Sequence, residues 1–130
     1  MNIYQEELMD HYEHPRNQGE MERPDLEAKE SNASCGDMVV LAFKFKSKKS
    51  KVKIVEEVRW RGLGCAVSMA AISKMSEWLK GKSLAEIKKM SEEELLRKAI
   101  GWEVNPGRRK CLELAVKVVK RLVGESDKMI

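Results

Sequence analysis

The chain has 130 residues, of which 42% are hydrophobic and 35% are charged, and its formal net charge is +4. This length predicts a single domain over residues 1–130, and a charge this small does not by itself indicate nucleic acid. The acidic start is unlike a signal peptide, and the most apolar run, 65–75, is too short to cross a membrane. Free thiols without an export signal predict a cytoplasmic protein.

The N-terminal segment 2–14 predicts a short helix that Asn2 caps and that Pro15 ends. Its apolar face is predicted to contain Tyr4 and Leu8, with either His11 or Tyr12 as the third member. Segment 15–25, rich in proline, glycine and asparagine, predicts a loop, and 26–32 is a candidate strand.

Two alternating segments predict a β-hairpin. The first places Val39, Leu41, Phe43 and Phe45 on one face, and the second places Val52, Ile54, Val58 and Trp60 on one face. The lysine- and serine-rich segment 47–51 would connect them as a solvated turn, with a docking patch for an acidic partner as the alternative.

The rest of the chain predicts helices. The first begins at Ala66 and stops near Gly81, and the capping-box patterns Ser83…Glu86 and Ser91…Glu94 open two short ones. The last helix has a continuous apolar stripe and is expected to end at Gly124; its stripe consists of Cys111, Leu114, Ala115, Val118 and Leu122. Strands followed by helices predict an α+β fold, a small antiparallel three-stranded sheet with helices packed on one face.

Three cysteines, Cys35, Cys65 and Cys111, lie far apart in the chain, and none belongs to a CxxC pair. With Asp37, two residues after the first cysteine, they offer three thiolates and a carboxylate. Four such ligands suit a tetrahedral zinc ion or the iron of a cluster. The alternative is that the cysteines are buried structural residues and that Asp37 is a turn residue.

The histidines and tryptophans indicate ordinary structural roles. His11 and His14 would share one face at a helix end, which is more typical of a cap or surface feature than of a metal site. Trp60, Trp78 and Trp102 are too scattered for a stacking platform and are expected in the core.

At these residues the chain resembles the IscU/NifU-N/SufU family of iron–sulfur cluster assembly proteins. Segment 10–19 is similar to the family's Asp-His-Tyr-x-Asn-Pro-Arg-Asn-x-Gly, with His14 where asparagine is more usual. Segments 32–37, 62–66 and 108–111 match the motifs around the three cysteines. The resemblance covers nearly the full length.

The resemblance implies an IscU/SufE-like fold and a scaffold that is not an enzyme in the turnover sense. A cysteine desulfurase would supply persulfide sulfur, and a transient [2Fe–2S] cluster would pass to apo iron–sulfur proteins or carrier proteins. Zinc can occupy the same site. The implied ligands are Cys35, Asp37, Cys65 and Cys111. A monomer or weak homo-oligomer is expected, without nucleic acid or membrane as partner.

Lys110 departs from the IscU pattern, which has histidine before the third cysteine; lysine with nearby arginine is typical of SufU. The segment between the second and third cysteines is nevertheless short, as in IscU, and 103–107 lacks the Leu-Pro-Pro-Val-Lys motif that chaperones bind. A zinc-bound, SufU-like sulfurtransferase is therefore one alternative. A structural zinc protein with a basic interaction surface is another.

Cys111 is the predicted principal persulfide acceptor, with Cys35 next. A helix start and the preceding basic residues 108–110 should stabilise the Cys111 thiolate, and Lys110 should support that charge. A protonated lysine cannot itself bind the metal.

Overall fold

The computed structural model describes residues 3–32, 36–47 and 49–126, and for Ile3 and Tyr4 it describes the backbone alone. The predicted cap Asn2, Tyr4 on the helix face, and Cys35 therefore lie outside what is described. In chain order the elements are α1 (Ile3–Glu13), β1 (Leu26–Asn32), β2 (Asp37–Phe45), β3 (Val55–Leu63), α2 (Ala66–Leu79), α3 (Leu84–Lys89), α4 (Glu92–Leu95), a π-helical turn (Leu96–Ile100), a 3₁₀ turn (Pro106–Arg108) and α5 (Arg109–Glu125).

The three strands form an antiparallel sheet in the order β1-β2-β3. The predicted inward face of β2 is buried, from Val39 to Phe45 at every second residue. Helix α5 packs against β1 and β2, while α2 packs against β3 and α5. The predicted α+β fold, with helices on one face of a three-stranded sheet, is confirmed. None of the helices within the described ranges is long and apolar enough to cross a membrane.

The prediction of which β3 side chains face the core is wrong at the start of this strand. The pairing between β2 and β3 shifts between Lys44 and Phe45, so that Glu57 pairs with Lys44 while Val55 pairs with Phe45. One extra residue on one strand reverses which side chains face inward. As a result Val55 is buried in place of Ile54. Val52 lies before the start of β3 and is 61% exposed. Val58 and Trp60 lie beyond the bulge and are buried as predicted.

The loop after α1 covers the free edge of β3. Gln18 bridges Trp60 in parallel, Gly19 N donates to Trp60 O at 2.8 Å, and the indole of Trp60 donates to Arg16 O at 2.7 Å. This contact pairs both backbone groups of Trp60, which would otherwise be free to bind another strand. The inward residue at the end of α1 is His11, which is buried, whereas Tyr12 is 46% exposed.

The helix boundaries follow the predicted signals, with one exception. Both capping boxes form, Ser83 with Glu86 and Ser91 with Glu94. Gly124 does not end α5, which continues to Glu125. Trp60 and Trp102 are buried, and Trp78 packs against the core, as expected for core residues.

Candidate metal centre

Asp37 is the first residue of β2 and is only 4% exposed. It pairs with Asn32, the last residue of β1, and so closes one end of the sheet. Its carboxyl group lies against Gly64, where a Cβ atom would come within 3.0 Å of Asp37 Cγ. Because any side chain at position 64 would crowd the carboxyl group, glycine makes this close approach possible.

Cys65 lies at the junction of β3 and α2 and is the N-cap of α2. Its sulfur accepts a hydrogen bond from the backbone N–H of Ser68 at 3.5 Å. A capping side chain is held over the first turn of its helix, where unpaired N–H groups favour negative charge. The predicted position of Cys65 at the start of a helix is therefore observed.

Cys111 lies in the first turn of α5, also as predicted, and is 2% exposed. Its sulfur is 3.5 Å from the sulfur of Cys65. Helix α5 packs against α2, and this contact brings together two cysteines that are far apart in the chain.

Asp37, Cys65 and Cys111 form the one group of potential metal ligands found among the described residues. One ligand atom from each lies within 4.8 Å of the other two. In a tetrahedral zinc site with Zn–S bonds of about 2.3 Å, neighbouring sulfurs are roughly 3.8 Å apart, close to the separation seen here. Two sulfurs and one carboxylate thus fit three corners of such a site. That these residues bind metal, and that Cys35 is the fourth ligand, stays a prediction.

The two described thiols differ in their acidity. Burial raises the pKa of Cys65, but contact with the Ser68 side chain, the hydrogen bond from the backbone N–H of Ser68 and contact with Cys111 outweigh burial, so the net pKa lies below the usual value. Burial raises the pKa of Cys111, and the adjacent Cys65 sulfur raises it further. Contact with Ser68 and Arg108 lowers it only in part.

These directions contradict the reasons for favouring Cys111 over Cys65 as a nucleophile. In the metal-free chain Cys65 has the more stable thiolate and is also the more exposed of the two. The helix start and basic neighbours of Cys111 are present, but desolvation and the second sulfur outweigh them. The role of Cys111 as persulfide acceptor stays a prediction.

Lys110 is exposed in the first turn of α5. It lines a cavity of about 170 Å³ with Ser31, Asn32, Leu114 and Lys117. Among the basic side chains, it is Arg108 that lowers the pKa of Cys111. The proposed charge support by Lys110 stays a prediction.

Ser68 is the site residue that sequence reasoning missed. It is 2% exposed, and its hydroxyl donates to Asp37 Oδ2 at 2.7 Å and lies 3.5 Å from Cys65 Sγ. A signal was available, because a residue three positions after an N-cap faces back towards the capping side chain. The serine was overlooked because this cap is a cysteine.

The histidines do not form a metal site with each other. His11 is buried and its Nδ1 lies 2.7 Å from Ser73 Oγ, whereas His14 is exposed. The group that can hold a metal in the described part of the chain contains neither.

The fold and this centre define an α+β protein with two thiols and a carboxyl group, all potential metal ligands, clustered at one end of its sheet. The family model of the NifU-like N-terminal domain matches residues 3–128, and the chain belongs to that family.

Two curated relatives represent two branches of the resemblance. The iron–sulfur cluster assembly scaffold protein IscU of Escherichia coli strain K12 is 30% identical over 125 residues, covering 94% of this chain and 92% of the relative. The zinc-dependent sulfurtransferase SufU of Bacillus subtilis strain 168 is 34% identical over 90 residues, covering 69% of this chain and 57% of the relative.

Solved structures show the same fold. A candidate iron–sulfur cluster assembly scaffold for the SUF system from Fervidobacterium islandicum AW-1 superposes with a TM-score of 0.72 at 25% identity, covering 95% of this chain and 96% of that one. The N-terminal NifU-like protein of Brucella abortus gives a TM-score of 0.76 at 16% identity, covering 98% and 96%. The second likeness concerns the fold alone.

Proposed function

We propose that this protein is a scaffold for iron–sulfur cluster assembly that accepts sulfur from a cysteine desulfurase and holds a [2Fe–2S] cluster for transfer to apo-proteins. The observation that carries the proposal is the convergence of Asp37, Cys65 and Cys111 at one end of the sheet. Membership of the NifU-like N-terminal family and similarity to the IscU scaffold support it. The cluster is cargo that the protein carries, and the protein is not a turnover enzyme.

The ligand set suits a cargo that must leave. Thiolates bind iron of a cluster firmly, whereas a carboxylate oxygen is a harder and weaker partner for it. Cys35, Cys65 and Cys111 would hold the cluster, and Asp37 would be the ligand displaced first. The recipient's own thiolate could then enter at that position.

The sulfur step is a thiol–persulfide exchange. A scaffold thiolate attacks the outer sulfur of the desulfurase persulfide, and a new S–S bond forms on the scaffold. The S–S bond of the desulfurase breaks, and its cysteine is released as a thiolate. No net oxidation occurs in this exchange. Reduction of the transferred sulfur to sulfide takes two electrons, which a separate reductant must supply.

Cys111 is the proposed principal acceptor, with Cys35 next. Because Cys111 is 2% exposed, the desulfurase must open the site around it before attack. Mass spectrometry of each single Cys→Ser variant, incubated with desulfurase and free cysteine, tests the assignment. We expect Cys111→Ser to lose most of the persulfide. If it gains persulfide at the wild-type rate while Cys35→Ser does not, then Cys35 is the acceptor.

A zinc-bound sulfurtransferase is the second candidate function. Lys110 before the third cysteine and the similarity to the zinc-dependent SufU favour it. In that case zinc would be bound by the same residues, Cys35, Asp37, Cys65 and Cys111. A thiolate would have to leave the metal before attacking the persulfide.

The proposed partners are a cysteine desulfurase and apo iron–sulfur proteins or carrier proteins. The exposed basic residues beside Cys111, which are Arg108, Lys110 and the ion-paired Arg109, form the surface that we propose for an acidic protein partner. We propose that the protein is cytoplasmic and acts as a monomer or weak homo-oligomer.

Metal and sulfide analysis of protein purified without oxygen, followed by reconstitution with a desulfurase, tests the proposal. A scaffold should take up iron and sulfide in equal amounts and pass them to an apo-protein. Zinc with stimulation of the desulfurase but no transferable cluster would support the sulfurtransferase. Tightly bound zinc in a protein that has no effect on a desulfurase would indicate a structural zinc protein.

A further inference from the structure

Ser68 lies at the middle of the described centre. Its hydroxyl donates to Asp37 Oδ2 at 2.7 Å and lies 3.5 Å from Cys65 Sγ, and its side chain lowers the pKa of Cys111. The side chain is fully enclosed, with 2% of the residue exposed. Water therefore cannot take over these contacts if the hydroxyl is removed.

A serine hydroxyl has one proton to donate but can accept from two partners. The short contact to a carboxylate is a charge-assisted hydrogen bond, which is stronger than a bond to a thiol. Cys65 also receives a hydrogen bond from the backbone N–H of Ser68, so it does not depend on the hydroxyl for a donor. The hydroxyl proton is thus committed to Asp37.

The orientation of Asp37 is fixed from two sides. Ser68 holds Oδ2, and Gly64 leaves the space that the carboxyl group fills. One carboxylate oxygen bound in this way leaves the other available to a metal. Hydrogen-bonded carboxylate ligands of this kind need less reorganisation when the metal arrives.

We propose that Ser68 is a positioning residue that holds the Asp37 carboxylate in its ligand orientation and thereby sets the metal affinity of the centre. This inference rests on the proposed function, because it requires that Asp37 bind metal. It adds a residue that contributes no ligand atom of its own.

Zinc and cobalt binding to metal-free protein test the role of Ser68. Zinc affinity is measured by competition with a chromophoric chelator, and Co²⁺ absorption reports the ligand field. We expect Ser68→Ala to bind zinc about 10-fold more weakly, the lower end of the range for lost supporting hydrogen bonds at metal sites. Its Co²⁺ bands should shift towards those of Asp37→Ala. Alanine favours helix more than serine does, so α2 should still form.

Ser76→Ala is the matched control. Ser76 is a buried serine of the same helix whose hydroxyl donates to Ser73 O at 2.6 Å, about 12 Å along the axis from Ser68. Loss of the Ser76 hydroxyl should leave the zinc affinity and the Co²⁺ spectrum unchanged. Ser68→Thr, which keeps the hydroxyl, should retain most of the wild-type affinity.

A double-mutant cycle decides whether Ser68 acts through Asp37. In an Asp37→Ala background, Ser68→Ala should cause little further loss of zinc affinity. A full loss in that background, or wild-type affinity for Ser68→Ala alone, would overturn the proposed role while leaving the scaffold function intact. Failure of the wild-type protein to bind zinc, cobalt or a cluster would instead overturn the proposed function, and the role of Ser68 with it.

Discussion

At the scale of single residues, Asp37 places a carboxylate oxygen beside the sulfurs of Cys65 and Cys111, and we propose that it is a cluster ligand. A hard carboxylate is the ligand that a recipient's thiolate displaces most easily from an iron–sulfur unit. We expect Asp37→Ala to slow cluster transfer to an apo-protein by on the order of tenfold, equivalent to about 1.4 kcal/mol in the barrier. The decay of cluster absorbance during transfer measures this.

Asp10→Ala is the control for this experiment, because it removes an acidic side chain on α1 that pairs with Arg16 away from the centre. Its transfer rate should equal that of the wild type. Faster loss of the cluster from Asp37→Ala than from wild type would show that Asp37 stabilises the cluster instead of keeping it exchangeable.

Cys65 and Cys111 should differ in their reactivity in metal-free protein. Cys65 is the more exposed, and its pKa is lowered by Ser68, whereas burial and the Cys65 sulfur raise the pKa of Cys111. Since the thiolate is the nucleophile, iodoacetamide should modify Cys65 several times faster at neutral pH. Peptide mass spectrometry over time measures both rates in one sample. Zinc should protect both, and equal rates without zinc would contradict the predicted order.

At the scale of elements, the contact between α1 and α2 is expected to weaken in acid. His11 is buried there, with Nδ1 2.7 Å from Ser73 Oγ and Nε2 3.4 Å from Glu77. Burial lowers the pKa of His11, and Arg16 lowers it further, while Glu77, Glu7 and Asp10 oppose this only in part.

A lowered histidine pKa means that the unfolded chain takes up the proton first. As the pH falls through the unfolded value of 6.5, the free energy of unfolding should fall, until the folded pKa is reached. At higher pH the histidine is neutral in both the folded and the unfolded state and does not reduce the free energy of unfolding. The melting temperature of wild type should therefore drop as the pH falls through 6.5, and this drop should end once the pH lies below the folded pKa of His11.

Two histidine variants isolate this effect. His11→Gln cannot titrate, so its melting temperature should depend less on pH in this window than that of wild type. His14→Gln removes the exposed histidine just beyond α1 and should keep the wild-type dependence. If His11→Gln and wild type lose stability in parallel, protonation of His11 is not the cause.

The elements show which features can be predicted from sequence. Capping boxes at Ser83 and Ser91 are local patterns, and both were predicted correctly because each depends on residues three apart. The bulge opposite Phe45 could not be predicted, since it depends on how two strands align across a turn. The apolar alternation alone placed Val52 inside, whereas it is exposed.

Some features of the candidate site can also be predicted from local sequence, whereas others depend on tertiary packing. The positions of Cys65 and Cys111 at helix starts follow from local sequence, and the number and type of potential ligands, together with the motif resemblance, grouped them with Asp37. Their relative acidity does not follow from neighbours in the chain. It depends on the contact of one sulfur with the other and on Ser68, which arise only when α5 packs against α2.

At the scale of the whole molecule, the net charge of +4 is expected not to produce nucleic-acid binding. Several basic side chains are paired on the surface, including Arg109 with Glu93 and Glu113, and Arg121 with Glu30. Paired cations release few counterions from a phosphate backbone. Fluorescence anisotropy with labelled DNA and RNA should show no tight binding at physiological salt. Tight binding that weakens steeply with added salt would contradict this prediction.

Metal binding should stabilise the whole fold, because its candidate ligands come from β2, from the β3–α2 junction and from α5. A ligand that binds only the folded state at 100 times its dissociation constant adds about 2.7 kcal/mol to the free energy of unfolding. In a protein of this size each kcal/mol shifts the melting temperature by about 3 °C, so zinc should raise it by roughly 8 °C. Differential scanning calorimetry with and without a chelator measures the shift. The double variant Cys65→Ser/Cys111→Ser should lose most of it. An equal shift in that variant would show that zinc stabilises the protein at another site.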